Sequence, residues 1–204
     1  MSSYRSARRQ KQAEDTRQEI VRAARRLFVE RGYAATTMAD IAVEAGVAVQ
    51  TIYASVGSKR ELVVALNDLI DEDAGVAELE AQLRGAATPR EVLALGVRIT
   101  AQIQERCGDI VRALISAAAV EDEAAAAMQE GLARHLEGAR KAARRIARLG
   151  GLREGLGTER AAAAIAVLSS PATYAQLRDQ HGWSVDQSRE WIEDSLARLV
   201  LREA

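Results

Sequence analysis

MADIAVEAGVAVQTIYASVGSK, residues 38–59, places two short apolar segments on either side of Gly46. Thr37 followed three residues later by Asp40 is a capping-box signature, so a helix opens there and can run only to Ala45 before the glycine interrupts it. A second segment of similar length spans about 48–54, and Ser58 with Glu61 caps a longer helix toward Asp71. Two helices this short bury little surface separately. Together, Ile41, Ala42, Ala45, Gly46, Val47 and Ile52 supply what a helix-turn-helix needs. A small residue stands where the helices cross, a glycine where the backbone turns, and apolar residues lock the pair. The second helix then leaves Val49, Gln50, Thr51 and Tyr53 outward, free to enter a major groove about 12 Å wide.

Working outward, Thr16 with Glu19 signals a helix whose apolar face is Ile20, Ala23, Ala24, Leu27 and Phe28, ended by Gly32. Before it, residues 1–15 read as a flexible basic arm with Arg5, Arg8, Arg9 and Lys11. Beyond Asp71 the pattern changes to longer helices near 89–106, 109–120, 122–148, 158–169, 171–180 and 185–202. Pro89 and Pro171 suit the first turn of a helix, behind Thr88 and Ser170 as caps, and Ser184 with Gln187 caps the last one. No fixed repeat and no strand-like alternation stands out, and the abundance of Ala, Leu, Arg and Glu agrees with an all-α chain. The domain reading is an arm over 1–15, a helix-turn-helix domain over 16–62, and a larger helical regulatory and dimerisation domain over 63–204.

The net charge of −1 conceals an asymmetry. Residues 1–60 hold 11 Lys/Arg against 6 Asp/Glu, net +5, and residues 61–204 hold 17 against 23, net −6. A polyanion should therefore meet the front of the chain. Cys107 is the single cysteine, which leaves no intrachain disulfide and suits a reducing interior. The longest apolar run, AAAAIAVL at 161–168, is too short to span a bilayer, so a cytoplasmic protein is expected.

The residues TTMADIAVEAGVAVQTIYASVGSKRELV, 36–63, preceded by AARRLFVERGYAA, resemble the DNA-binding domain of the TetR family of bacterial transcriptional regulators. The resemblance implies that Thr37 touches a phosphate from the start of the second helix and that Gln50 and Thr51 meet base edges. It also implies a phosphate bond from Tyr53 and an anchoring contact from Lys59. Elementary chemistry agrees: helix N-termini, tyrosine hydroxyls and lysine ammoniums bind phosphate, and glutamine pairs with adenine. Two positions depart from the family pattern. Ala48 stands where a serine is frequent, which removes a cap, and Val56 stands where an aromatic is frequent, which thins the packing between the third and fourth helices.

Two such readers on a two-fold axis imply a homodimer on a palindromic operator, with recognition helices about 34 Å apart. In the family the last long helices form the dimer interface. Ile165 and Leu168, with Ser188, Trp191, Ile192, Ser195 and Leu199 at three-and-four spacing, are the candidates here. The family also implies a pocket among the helices between 89 and 180 for a small, largely apolar effector, with Gln102, Ser116, His135 and Tyr174 as polar handles. The basic run at 139–148 reads as a solvated helix end and GGLREGLG at 150–157 as a connector.

An enzyme is disfavoured: His135 and His181 are the only histidines, and no metal motif, cofactor motif or serine elbow is present. The expectation is a ligand-responsive, sequence-specific transcriptional regulator, a repressor released by a small molecule. A regulator without an effector and a non-specific architectural DNA binder are the alternatives. The acidic bulk of the chain weighs against the second.

Overall fold

The computed structural model describes the backbone of residues 2–202 and the side chains of residues 7–202 apart from Ala127. Its elements are α1 (Ser2–Arg31), α2 (Met38–Ala45), α3 (Val49–Ser55), α4 (Lys59–Asp73), α5 (Val76–Gly85), α6 (Pro89–Ala118), α7 (Asp122–Arg148), α8 (Thr158–Leu168), α9 (Pro171–His181) and α10 (Val185–Val200). The fold is all-α. Leu152 and Leu201 form one antiparallel bridge, and no helix is long and apolar enough to cross a membrane among the described residues.

The chain divides into two compact units, neither of them a single stretch: Met1–Ile70 with Asp109–Glu130, and Asp71–Gly108 with Gly131–Ala204. Residues 109–130 thus group with the N-terminal helices, although the sequence places them in the larger domain.

The first unit is organised around α1. Ile20, Ala23, Ala24, Leu27 and Phe28 lie buried on its inner face, as the three-and-four spacing predicts, and Ile41, Ile52, Leu62 and Leu66 of α2, α3 and α4 are buried in the same unit. The expected arm and helix start at Thr16 are both corrected. α1 is helical from Ser2, and Thr16 is a mid-helix residue whose Oγ1 donates to the Gln12 carbonyl at 2.8 Å. Residues 7–14 are all fair to good helix formers without glycine or proline, so the helix propagates outward from the turns that packing already holds. The side chain of Arg5 lies outside the described residues.

In the second unit, Val92, Leu93 and Val97 of α6 pack with Ala142, Ala143 and Ile146 of α7, Ala161 and Ile165 of α8, Tyr174 of α9, and Ile192, Leu196 and Val200 of α10. The alanines let the helices approach closely. Two expectations fail here. α5 has no counterpart in the sequence reading because it starts behind Gly75, a left-handed residue with no side-chain cap to announce it. α6 does not break at Gly108: Cys107 and Ile110 beside it are both fully buried, and their packing outweighs the roughly 1 kcal/mol that a mid-helix glycine costs. The 150–157 loop connects α7 to α8 and pairs with the end of the described chain, Arg153 N–H donating to the Val200 carbonyl and Arg202 N–H to that of Gly151, both at 2.9 Å.

Candidate nucleic-acid interface

α2 begins with a reciprocal cap. The Asp40 N–H donates to Thr37 Oγ1 at 3.1 Å, and the Thr37 N–H donates to Asp40 Oδ2 at 2.8 Å. Hydrogen bonds from the Thr37 hydroxyl and backbone hold the Asp40 carboxyl below the usual carboxylate range. α2 ends at Gly46, whose φ of 66° permits the Val47 N–H to turn back onto the Ala42 carbonyl at 3.0 Å. The left-handed conformation is what demands glycine at this turn.

α3 is then held at few points. Ala48 adopts the extended conformation of a cap but offers no side-chain bond, and Ile52 is the only fully buried residue of the helix. At its far end the Val56 and Gly57 N–H groups both donate to the Ile52 carbonyl, at 2.8 and 3.1 Å, while Arg17 Nη1 of α1 donates to the Ser55 carbonyl at 3.0 Å. Gly57 has a φ of 108° and a Cβ there would collide with the Glu61 carboxylate, which caps α4 by accepting from the Ser58 N–H at 2.6 Å. That backbone bond, with the Ser58 hydroxyl, lowers the Glu61 pKa.

Several arginines of the basic front form ion pairs within the first unit, two of them with α2. Arg26 Nε meets Glu44 at 2.8 Å, Arg31 meets Asp40 at 3.9 Å, and Arg25 meets Asp109 at 3.1 Å. The surface they leave is specific. Thr37, Gln50 and Tyr53 are exposed, Tyr53 by 56%, whereas Val49 and Thr51 are half-buried. Val43 of α2 is 84% exposed as well, a residue that periodicity had no reason to single out.

Lys59 is held within the first unit. Its Nζ donates to the Tyr33 carbonyl at 2.6 Å and lies 4.0 Å from the Tyr33 ring centroid, so the ammonium braces α4 against the turn after α1 instead of standing free. Burial lowers its pKa, with Glu121 and Glu123 pulling the other way. The neighbouring Arg60 is the exposed cation at this helix start. Tyr33 itself packs at a tilt against Phe28, ring centroids 5.1 Å apart, and burial raises the pKa of its hydroxyl, which has no hydrogen-bond partner among the described residues.

The expected polar handles are divided between the two units. Ser116 is exposed and belongs to the first unit, whereas the other three belong to the second. Gln102 Nε2 is tied to the Ala74 carbonyl at 2.5 Å and His135 Nε2 lies 2.8 Å from the Ala166 carbonyl. Tyr174 is 3% exposed with an unpartnered hydroxyl whose pKa burial raises. Gln104, which the sequence reading passed over, is buried with its Nε2 unpartnered. A shallow cavity of about 440 Å³ is lined by Arg144, Ala147, Arg148 and Thr158, none of the four handles.

The expected dimer face also divides. Ile165, Ser188 and Ile192 are buried within their own unit, Ser188 donating to the Ser184 carbonyl at 2.9 Å, and this corrects their placement at an interface. Leu168 and Ser195 are half-buried. Trp191 and Leu199 remain 43% and 46% exposed; with Ser195 they make one stripe at four-residue spacing, and Trp191 meets Trp183 edge-on at 5.9 Å. Val167 of α8 is exposed as well.

Residues 20–66 match the family described as bacterial regulatory proteins, tetR family. The HTH-type transcriptional regulator TtgR of Pseudomonas putida is 48% identical over 65 residues, 32% of this chain and 31% of that protein, so the match spans about a third of the relative's length. NalD, described as the secondary repressor of the MexAB-OprM multidrug efflux pump in Pseudomonas aeruginosa, superposes with a TM-score of 0.74 at 22% identity, covering 95% of this chain and 100% of NalD. SmeT, solved as a complex with triclosan, gives a TM-score of 0.74 at 20% identity and covers 93% of each chain. At these identities the structural likeness speaks for the fold, while the motif itself carries the lineage. The capped α2, the Gly46 turn, the exposed α3 and the match over residues 20–66 together place this helix-turn-helix segment in the tetR family of bacterial regulatory proteins.

Proposed function

We propose that the protein is a sequence-specific transcriptional regulator that binds a palindromic operator as a homodimer and is released by a small, largely apolar effector. The observation that carries this reading is α3: a seven-residue helix braced at its far end, with a single fully buried residue and with Gln50 and Tyr53 turned to solvent. A helix that contributes so little to a core is built to present a face. Gln50 then reads a base edge in the major groove, while Thr37, Tyr53 and Arg60 hold the flanking phosphates.

The exposed stripe of Trp191, Ser195 and Leu199, with Val167, supports a second copy as the partner of α8 and α10. Repression is supported by NalD, named a repressor, and an effector by the triclosan complex of SmeT. Release requires that the effector bind the DNA-incompetent state more tightly, with a coupling of about 1–3 kcal/mol.

The test is selection of bound sequences from a random duplex pool at about 0.15 M salt, where non-specific contacts are screened. One enriched palindrome is expected, preferred over bulk DNA by on the order of a thousandfold or more. Retention without sequence preference would instead make the protein an architectural binder.

A further inference from the structure

We propose that the first turns of α1 form a second DNA-backbone contact, in which Arg8 and Lys11 bind phosphates flanking the half-site while α3 occupies the major groove. This inference rests on the reading of α3 as the DNA reader.

The helix outruns its packing. Residues 7–15 of α1 are exposed without exception, and burial begins only at Thr16. These turns gain no apolar burial to offset the entropy of ordering them, so stability gives no reason for their presence. Their charge does: residues 7–13 contain Arg8, Arg9 and Lys11 and no acid, and Glu14 and Asp15 stand at the inner end, next to the packed turns. Arg8 and Lys11, three apart and so on neighbouring faces of the helix, have no ion-pair partner among the described residues. Arg17, Arg25, Arg26 and Arg31 of the same helix all bond within the unit, whereas Arg8 and Lys11, like the exposed Arg22 further in, stay open to solvent.

Position follows from one hydrogen bond. Arg17 Nη1 donates to the carbonyl of Ser55, the last residue of α3, so α1 is tied to the end of the reader only two residues before its exposed turns begin. Nine residues at about 1.5 Å each extend this reach by roughly 13 Å. Helicity decides what they can touch. A helix is about 10–12 Å across with its side chains and the minor groove about 6 Å wide, so α1 cannot enter it as an extended arm would. The major groove beside it is filled by α3. The backbone is what remains, and phosphates match the cations in charge.

The experiment compares wild type, R8A/K11A and the charge-restoring R8K/K11R on the selected operator and on a scrambled duplex, by fluorescence anisotropy from about 50 to 200 mM salt. Alanine keeps helix propensity high, so the substitution removes charge and not the helix. The expected result is a loss of affinity in R8A/K11A of equal factor on both duplexes. The slope of log K against log salt should shrink by about 0.9 per lost phosphate contact, roughly 2 per subunit. The gap to wild type should therefore narrow about tenfold per subunit across that salt range, and R8K/K11R should recover the slope. A wild-type slope in R8A/K11A, or no recovery in R8K/K11R, overturns the inference while leaving α3 as the reader. Failure of the wild type to select any operator would overturn the DNA reading itself, and this contact with it.

Discussion

Ile52→Ala should release the recognition helix while leaving the second unit intact. Ile52 is 0% exposed and is the only fully buried residue of α3, and seven residues are far below the length at which an isolated helix persists in water. The substitution removes three carbons, worth about 2.4 kcal/mol at 0.8 per methylene, and leaves a cavity, so about 3–4 kcal/mol is expected. The Val56 and Gly57 amides, which both donate to the Ile52 carbonyl, report the docked state directly. In hydrogen exchange their protection should fall by about 100-fold or more, since each 1.4 kcal/mol is a factor of ten. Operator affinity should fall with the fraction of molecules that keep α3 docked. Amides of α8 and α10 should exchange as in wild type, and Ile52→Val should cost only about 1 kcal/mol. If Val56 and Gly57 kept wild-type protection in the alanine variant, Ile52 would not be what docks the helix, and the account of α3 would be wrong.

Ala48→Ser places a hydroxyl at an exposed cap already in the extended conformation, so protection of the α3 amides should rise by about 0.5–1 kcal/mol. Tyr53→Phe should weaken binding by a similar factor on every duplex, whereas Gln50→Ala should relax preference at one base position by roughly 1–3 kcal/mol, both readable from competition binding. Asp40 and Glu61 have folded pKa values below their unfolded ones, so their stabilisation is complete above the unfolded values of about 3.9 and 4.3 and is lost as pH falls through the folded values. D40N/E61Q should flatten the acid limb of unfolding followed by circular dichroism. Leu199→Asp puts a charge into the exposed stripe of α10 and should shift sedimentation from dimer toward monomer; an unchanged dimer would place the interface elsewhere.

Local signals in the sequence marked many helix starts. Thr37, Ser58, Ser170 and Ser184 cap the helices they were expected to cap, and Pro89 and Pro171 stand at first turns, because a cap is a bargain among neighbours within four residues. Gly46 was legible for the same reason, its left-handed turn being a local demand. The helix-turn-helix and its exposed Gln50 and Tyr53 follow from these signals and from apolar spacing.

What depended on distant contacts was not legible. The continuation of α6 through Gly108 rests on the burial of Cys107 and Ile110, and the inward turn of Lys59 on a carbonyl 26 residues away. On α10 a single apolar pattern conceals two surfaces: the Ser188, Ile192, Leu196 and Val200 stripe sealed in the core, and the adjoining Trp191, Ser195 and Leu199 stripe left partly or largely open. Helical periodicity states which residues share a face. Only the tertiary structure decides which of two adjacent faces its own chain covers, because burial depends on helices far away in sequence.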